Sequence, residues 1–309
     1  MRVLVTGGAG FIGSHTADLL IEENYDTVIA DNLSTGRKEN INPKAKFYKS
    51  NITNFRALKK VFGRERIDSV IHLAAQINVR NSLADPFFDA KTNILGSLNV
   101  LECCRKFKIK KIVYSSSGGA VYGEPKRIPV KENHPIKPLS PYAVSKYCVE
   151  QYLQEYHHNY GLEFAVLRYG NVFGPRQDPR GEAGVTAIFI ERMLANERPK
   201  IFGSGEQTRD FVFVKDVAKA NLLALQKKTK SRTYNIGTRK EKSVNEIFRE
   251  LKKMLKFKGN AVKEKSVPGE IKRIALDCSL AKKELRWKPE TPFKKGLKET
   301  IEWHRKKNY

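Results

Sequence analysis

Arg2-Val3-Leu4-Val5-Thr6-Gly7-Gly8-Ala9-Gly10-Phe11-Ile12-Gly13 is the stretch whose reading decides the fold. A short apolar, β-branched run stops at a glycine-rich turn, after which Ser14 and His15 open a helical pattern that Thr16 to Ile21 continue. Gly7 permits the tight exit from the strand, Gly10 lets the backbone approach a pyrophosphate, and Gly13 lets the helix sit close on the strand. The helix's free amides and positive dipole end, with Phe11 and Ile12 in its first turn, then face the phosphates. A second apolar run, Thr27-Val28-Ile29-Ala30, ends in Asp31. A carboxylate there accepts hydrogen bonds from an adenosine ribose and repels a 2′-phosphate, so the expected cofactor is NAD and not NADP. Three glycines alone are weak evidence, but the strand before, the helix after and an acid about 20 residues on supply the context this motif requires.

Strands and helices keep alternating beyond that unit. Asn32, Ser34, Thr35, Gly36 and Arg37 form a polar loop placed to wrap the adenosine end, and Lys46 to Tyr48 reads as a third strand followed by Asn51-Ile52. Phe55 to Phe62 is helical by period, and Asp68 to Leu73 is a buried strand ending in the small residues Ala74 and Ala75. One long helix is expected over Pro86 to Lys106, then a fifth strand over Lys111 to Ser115, a helix beginning at Ser140-Pro141, and a sixth strand over Phe164 to Tyr169. This order predicts an α/β fold built on a doubly wound parallel sheet. Beyond Asn171 proline- and glycine-rich loops take over. The expected division is a nucleotide-binding Rossmann domain over 1–170 and a smaller substrate-binding lobe over 171–309, with some segments of the second returning to the first.

Composition bounds the remaining choices. The 309 residues suit a two-lobed enzyme, and no run approaches the ~18 apolar residues of a membrane span. Met1 leads directly into the first strand, leaving no room for a signal peptide, so a cytoplasmic protein without a membrane partner is expected. Cys103, Cys104, Cys148 and Cys278 lack metal-ligand spacing; buried thiols are expected, with no disulfide and no metal. The net charge of +25 is concentrated late, with 26 Lys and Arg against 10 Asp and Glu from Gln226 onward. Lys252, Lys253 and Lys256 alternate with Ile247, Phe248, Leu251, Met254 and Leu255 at helical spacing, which reads as a solvated helix face and not a specific nucleic-acid site.

Chemistry is carried by Ser117, just past the fifth strand, and by Tyr142 and Lys146, four apart on one helix face. A tyrosine with a solution pKa near ~10 is a poor base at neutral pH, and a cation one turn away favours its phenolate. Ser117 can hold a substrate hydroxyl whose proton Tyr142 takes.

These motifs together make the chain similar to the extended short-chain dehydrogenase/reductases, and within them it most resembles the UDP-glucose 4-epimerases and their nucleotide-sugar relatives. The resemblance runs nearly end to end, through Asp31-Asn32-Leu33-Ser34, His72-Leu73-Ala74-Ala75, Asn93, Ser115 to Gly123, Ser140-Pro141-Tyr142, Leu167 to Gly174, Arg209-Asp210-Phe211, Tyr234 to Gly237 and Leu285-Arg286-Trp287. It implies that Tyr142 is the base, that Lys146 holds the nicotinamide ribose and lowers the tyrosine pKa, and that Ser117 orients the sugar. It implies further NAD contacts from Leu73, Ala74, Ala75, Gln76, Asn93, Ser115, Tyr169 and Val172. For the UDP-hexose it implies Asn171, Val185, Arg209 and Glu270, with Ile201 and Phe202 along the uracil. A homodimer is implied too, through the helices Phe87 to Lys106 and Pro141 to Tyr156.

The sequence departs from the pattern in two places. Asn51 stands where relatives often carry an acid at the adenine, and Val267 stands where an arginine usually assists Arg209 at the diphosphate. Lys263 or Lys265 is the expected substitute. Ile274 resembles the family's gate beside the N-acetyl site, and its intermediate size implies partial use of UDP-N-acetylhexosamines. Dehydratase relatives place an acid immediately before the Val-Tyr-Gly that ends this region, where this chain has Gly119 and Ala120. The leading expectation is C4 epimerisation of UDP-glucose and UDP-galactose with tightly bound NAD. An epimerase of another UDP sugar, a 4,6-dehydratase, or an NAD-binding regulatory or RNA-associated protein are the alternatives.

Overall fold

The computed structural model describes residues 1–179, 184–230, 232–266 and 271–307. The first half of the chain runs β1 (Arg2–Thr6), α1 (Phe11–Glu22), β2 (Asp26–Asp31), β3 (Lys46–Lys49), α2 (Phe55–Glu65), β4 (Ser69–His72), α3 (Val79–Ala84), α4 (Pro86–Ala90), α5 (Gly96–Lys106) and β5 (Lys111–Ser117). There follow α6 (Pro141–Tyr160), β6 (Glu163–Tyr169), β7 (Asn171–Phe173), α7 (Val185–Leu194), β8 (Lys200–Phe202), β9 (Thr208–Arg209), β10 (Phe211–Phe213) and α8 (Val214–Gln226). The chain ends with β11 (Thr233–Ile236), β12 (Lys242–Ser243), α9 (Val244–Leu255), β13 (Val262–Glu264) and α10 (Phe293–Lys307).

Among the described residues the main sheet is parallel and seven-stranded, in the order β11-β6-β5-β4-β1-β2-β3. Its inner strands are buried along their length, as a parallel sheet covered on both faces requires. Leu20 of α1 and Val217 and Ala220 of α8 pack on one face. Leu58 and Phe62 of α2, Leu101 of α5 and Leu153 of α6 pack on the other. The strand order reverses between β1 and β4, and the crevice beyond the carboxyl ends of those strands is where such a sheet binds its ligand. A third core, including Phe173, Phe189, Ile247 and Leu297, holds the second lobe together.

Two elements cross the boundary expected near residue 170. α8 packs against α1, and β11 supplies the seventh strand by pairing with β6 in the register Thr233 to Val166 through Ile236 to Tyr169. β11 is short and contains a buried asparagine, which hides it from a pattern search. Asn235 is satisfied from outside the strand, donating to Val130 O at 2.8 Å and accepting from the Tyr122 hydroxyl at 2.7 Å. The long helix expected over Pro86 to Lys106 is α4 and α5 joined by a π-helical turn at Lys91–Leu95, which carries Asn93. Helix α6 runs to Tyr160 and stops at Gly161, whose φ of +68° suits a left-handed cap. On α9, Ile247 and Leu251 are buried while Lys253 and Lys256 face solvent. All four cysteines are unpaired. No helix among the described residues is long and apolar enough to cross a membrane.

Candidate active site

The glycine turn has the geometry its sequence demands. Gly7 has a φ of +71°, and a Cβ there would lie 2.7 Å from Ala74 N; a Cβ on Gly13 would lie 2.0 Å from Gly7 O. Gly10 caps α1 with no side-chain acceptor, leaving the first-turn amides available to a ligand. They open on a cavity of about 1440 Å³. Gly10, Phe11, Ile12, Asn32, Ser34, Thr35, Asn51, Ala75 and Gln76 border one part of it, and Ser117, Tyr142, Tyr169, Asn171, Val172, Val185 and Arg209 border the rest. A backbone cradle too tight for any side chain, at a helix N-terminus, fits the pyrophosphate of NAD.

Behind this wall stands a second set of the expected residues: Gly7, Gly13, Asp31, Gly36, Ile52, Leu73, Ala74, Asn93, Ser115 and Lys146 do not border the cavity themselves. Asp31 accepts from Ala9 N at 3.0 Å and Leu33 N at 2.7 Å, so it also shapes the loop around the ribose position. A Cβ on Gly36 would sit 2.9 Å from its Oδ1. Asn93 grips the Gln76 main chain, accepting from its N at 2.8 Å and donating to its O at 2.9 Å. His72 bridges Thr6 Oγ1 and Ser97 Oγ at 2.6 and 2.9 Å, and burial pulls its pKa down to about 3, so the ring is neutral.

Tyr142 and Ser117 meet at the cavity because α6 starts beside the end of β5. Ser140 caps α6 by accepting from Ala143 N at 3.2 Å, and Pro141 supplies the first helical residue. Lys146 is buried, donates from Nζ to Ser115 O at 2.8 Å, and stands 5.9 Å from the Tyr142 ring centre. Burial lowers its pKa to about 8, against the opposing pull of Asp89 and Glu150. Ser116 also borders the cavity, but its hydroxyl donates to Glu150, which is paired with Arg168 at 2.5 and 3.0 Å. A Cβ on Gly119 would lie 3.3 Å from Asn171 Oδ1 and 3.9 Å from Ser117 Oγ. A side chain at residue 119 would therefore crowd Asn171 beside Ser117.

On the substrate side the structure divides the expected residues. Arg209 borders the cavity and donates to Thr208 O at 2.8 Å. Ile201 and Phe202 do not border it: Ile201 is buried in the core of the lobe, and Phe202 lies under the Arg80 guanidinium at 5.1 Å. Ile274 is 1 % exposed within the sheet's own core, and Ile271 borders the cavity in its place. Val267 and Glu270 lie outside the described residues. Lys263 donates to Ser204 O at 2.9 Å and, like Lys265, stays away from the cavity, whereas Arg80 and Lys242 border it. Sequence reasoning missed both, because neither belongs to a motif with fixed spacing. It also missed the pair of Arg37, after β2, with Asp178, after β7, which joins two rims of the cavity at 2.8 Å.

A glycine cradle, a tyrosine backed by a buried lysine and a serine at the strand end define a site for dinucleotide-dependent hydride transfer at a carbinol. The chain belongs to the NAD dependent epimerase/dehydratase family, whose model matches residues 3–237. It is 55% identical, over 99% of both chains, to a Methanocaldococcus jannaschii protein provisionally named UDP-glucose 4-epimerase. Among solved structures it is similar to the Thermotoga maritima UDP-glucose 4-epimerase with UDP-glucose, at a TM-score of 0.98 and 46% identity over 100% of both chains. It is also similar to the Thermus thermophilus UDP-glucose 4-epimerase complex with NAD, at a TM-score of 0.95 and 39% identity over 99% of both.

Proposed function

We propose that this chain is an NAD-dependent nucleotide-sugar 4-epimerase interconverting UDP-glucose and UDP-galactose. The observation that carries the reading is Ser117 and Tyr142 facing one cavity, with Lys146 buried behind them and the cradle of α1 opening on the same space. Bound NAD would supply the hydride acceptor and return the hydride. The residues of this chain do the rest. Ser117 holds the C4 hydroxyl, Tyr142 accepts its proton, and Lys146 keeps the phenolate favoured from below. Arg209 and Asn171 hold the diphosphate end, with Arg80 and Lys242 as the nearby cations. The sugar turns over as a 4-keto species and recovers its proton from Tyr142. Elimination of water needs an acid near C6, and Gly119 and Ala120 offer none.

The same reading includes the two-lobed division near residue 170, a cytoplasmic location and a homodimer. Phe87, Leu83, Leu95 and Val144 are large apolar side chains left exposed on α3 to α6, and such a patch suits a self-complementary helix bundle. A monomer at micromolar concentration by light scattering would count against that assembly.

The reaction is tested by giving the purified protein UDP-galactose with no added cofactor. UDP-glucose should form without lasting absorbance growth near ~340 nm, because a retained cofactor ends each cycle as it began. A 4-keto-6-deoxy product or stoichiometric NADH would refute the assignment. UDP-N-acetylgalactosamine and UDP-galacturonate, run in parallel with products resolved by NMR, rank the sugars.

A further inference from the structure

One fully buried carboxylate under the cavity wall has no part in the mechanism above. Asp89, on α4, is 0 % exposed. Its Oδ1 accepts from Gln76 Nε2 at 2.8 Å and from Asn93 Nδ2 at 3.0 Å, and its Oδ2 accepts from Ser145 Oγ at 2.6 Å. Gln76 borders the cavity, and Ser145 directly precedes Lys146 on α6. One side chain thus binds the cofactor wall, the π-turn and the catalytic helix together.

These donors are all neutral, and neutral donors alone do not account for a charged acceptor. An ionised carboxylate shut away from water is costly unless a cation offsets it. The groups that face Lys146 identify that cation. From α6 come Tyr142 and Glu150, from β5 the Tyr114 ring at 5.0 Å, from β4 the neutral His72, and from α4 Asp89. Glu150 is already matched by Arg168 of β6, two hydrogen bonds deep. Asp89, held by Ser145 at the position directly before Lys146, is the carboxylate left to act through space on the Lys146 ammonium, with no direct ion pair between them.

We propose that Asp89 is a positioning residue for the reaction: it ties the Gln76 wall to α6 beside Tyr142, and its charge keeps Lys146 an ammonium. The proposal rests on the reading of Tyr142 and Lys146 as the reacting pair. Lys146 sits low, at about 8, with Asp89 the first of the two groups that hold it up, so losing that charge lowers it further. Phenolate formation on Tyr142 then loses its support within the working pH range.

The test compares Asp89→Asn, Asp89→Glu and Ser145→Ala with wild type for epimerisation rate against pH, NAD content and melting temperature. Asp89→Asn should keep its NAD and move the alkaline limb of kcat toward acid by about one pH unit. Ser145→Ala removes the tether but not the charge, so kcat should fall with the limb in place. A folded Asp89→Asn with the wild-type limb overturns the electrostatic role, and an unchanged kcat in Ser145→Ala overturns the tether. Should Asp89→Asn not fold, Asp89→Glu decides: the limb should stay while kcat drops, and a displaced limb refutes the proposal. Tyr142→Phe separates the two levels, since activity surviving there sinks the catalytic reading itself, whereas an inactive Tyr142→Phe beside an unshifted Asp89→Asn sinks this inference alone.

Discussion

Tyr142→Phe removes the base and little else at the cavity wall, so the variant should bind NAD normally and lose about 10² to 10⁴ in rate. Half of wild-type activity would remove Tyr142 from its role. Arg209 is the cation proposed for the diphosphate, and a charge-assisted hydrogen bond to phosphate contributes ~1.5–3 kcal/mol. Arg209→Ala should therefore raise the substrate KM about tenfold or more with NAD content unchanged; equal UDP affinity by calorimetry would refute this. Ile274, buried in the sheet's core, carries a different expectation from that of a gate residue. A tyrosine forced into a site 1 % exposed overpacks the core, typically at ~1–3 kcal/mol. Ile274→Tyr should lower the melting temperature and leave the ratio of UDP-galactose to UDP-N-acetylgalactosamine turnover alone, while Ile271→Tyr should change that ratio. The opposite pattern would restore Ile274 as the gate.

On the proposed mechanism helix α6 sets the pH dependence, because it carries the proton acceptor Tyr142 and the cation Lys146 together. Burial lowers Lys146 to about 8, so the ammonium is present below that pH and is lost as pH rises through it. A rate that needs both phenolate and ammonium should fall on the alkaline side of about 8, and a plateau extending well above would contradict the pairing. The elements that carry this site differ in how readable they were. The α1 turn was legible because its constraint is local: a Cβ on Gly13 would meet Gly7 O at 2.0 Å, and only glycine satisfies that. The Tyr142 and Lys146 spacing was legible for the same reason, one helical turn being a fixed distance. The helix beginning at Pro86 was legible too, but the burial of Asp89 within it was not, since an aspartate on a helix ordinarily belongs outside. Asn93 is a helical turn away, but Gln76 and Ser145 come from separate segments, and burial of the charge arises only when the fold joins them. β11 escaped for a related reason, a buried asparagine satisfied by Val130 and Tyr122 from distant loops.

At the scale of the whole molecule, the sheet order places β1 and β4 at the reversal point, and the second lobe closes the cavity from the side of β7, α7 and β9. Late lysines of the +25 chain stand on outer faces such as that of α9, where Lys253 and Lys256 are exposed. At the cavity rim Arg37 and Asp178, 141 residues apart in the chain, meet as an ion pair. Their side chains are 38% and 29% exposed, so the pair contributes at most about 1 kcal/mol, or about fivefold in a release rate. Arg37→Ala and Asp178→Ala should each speed NAD release by a few fold, the reciprocal exchange Arg37→Asp with Asp178→Arg should restore it, and salt should mimic the loss in wild type. Release unaffected by either substitution would show the pair to be ornamental. A dinucleotide that leaves more slowly than the enzyme turns over is a resident part of the protein and not a co-substrate drawn from a pool. Turnover should then be blind to the redox poise of its surroundings: across imposed NADH to NAD ratios the wild-type rate stays level, and cutting the pair should let the reduced form exchange in only a few fold faster.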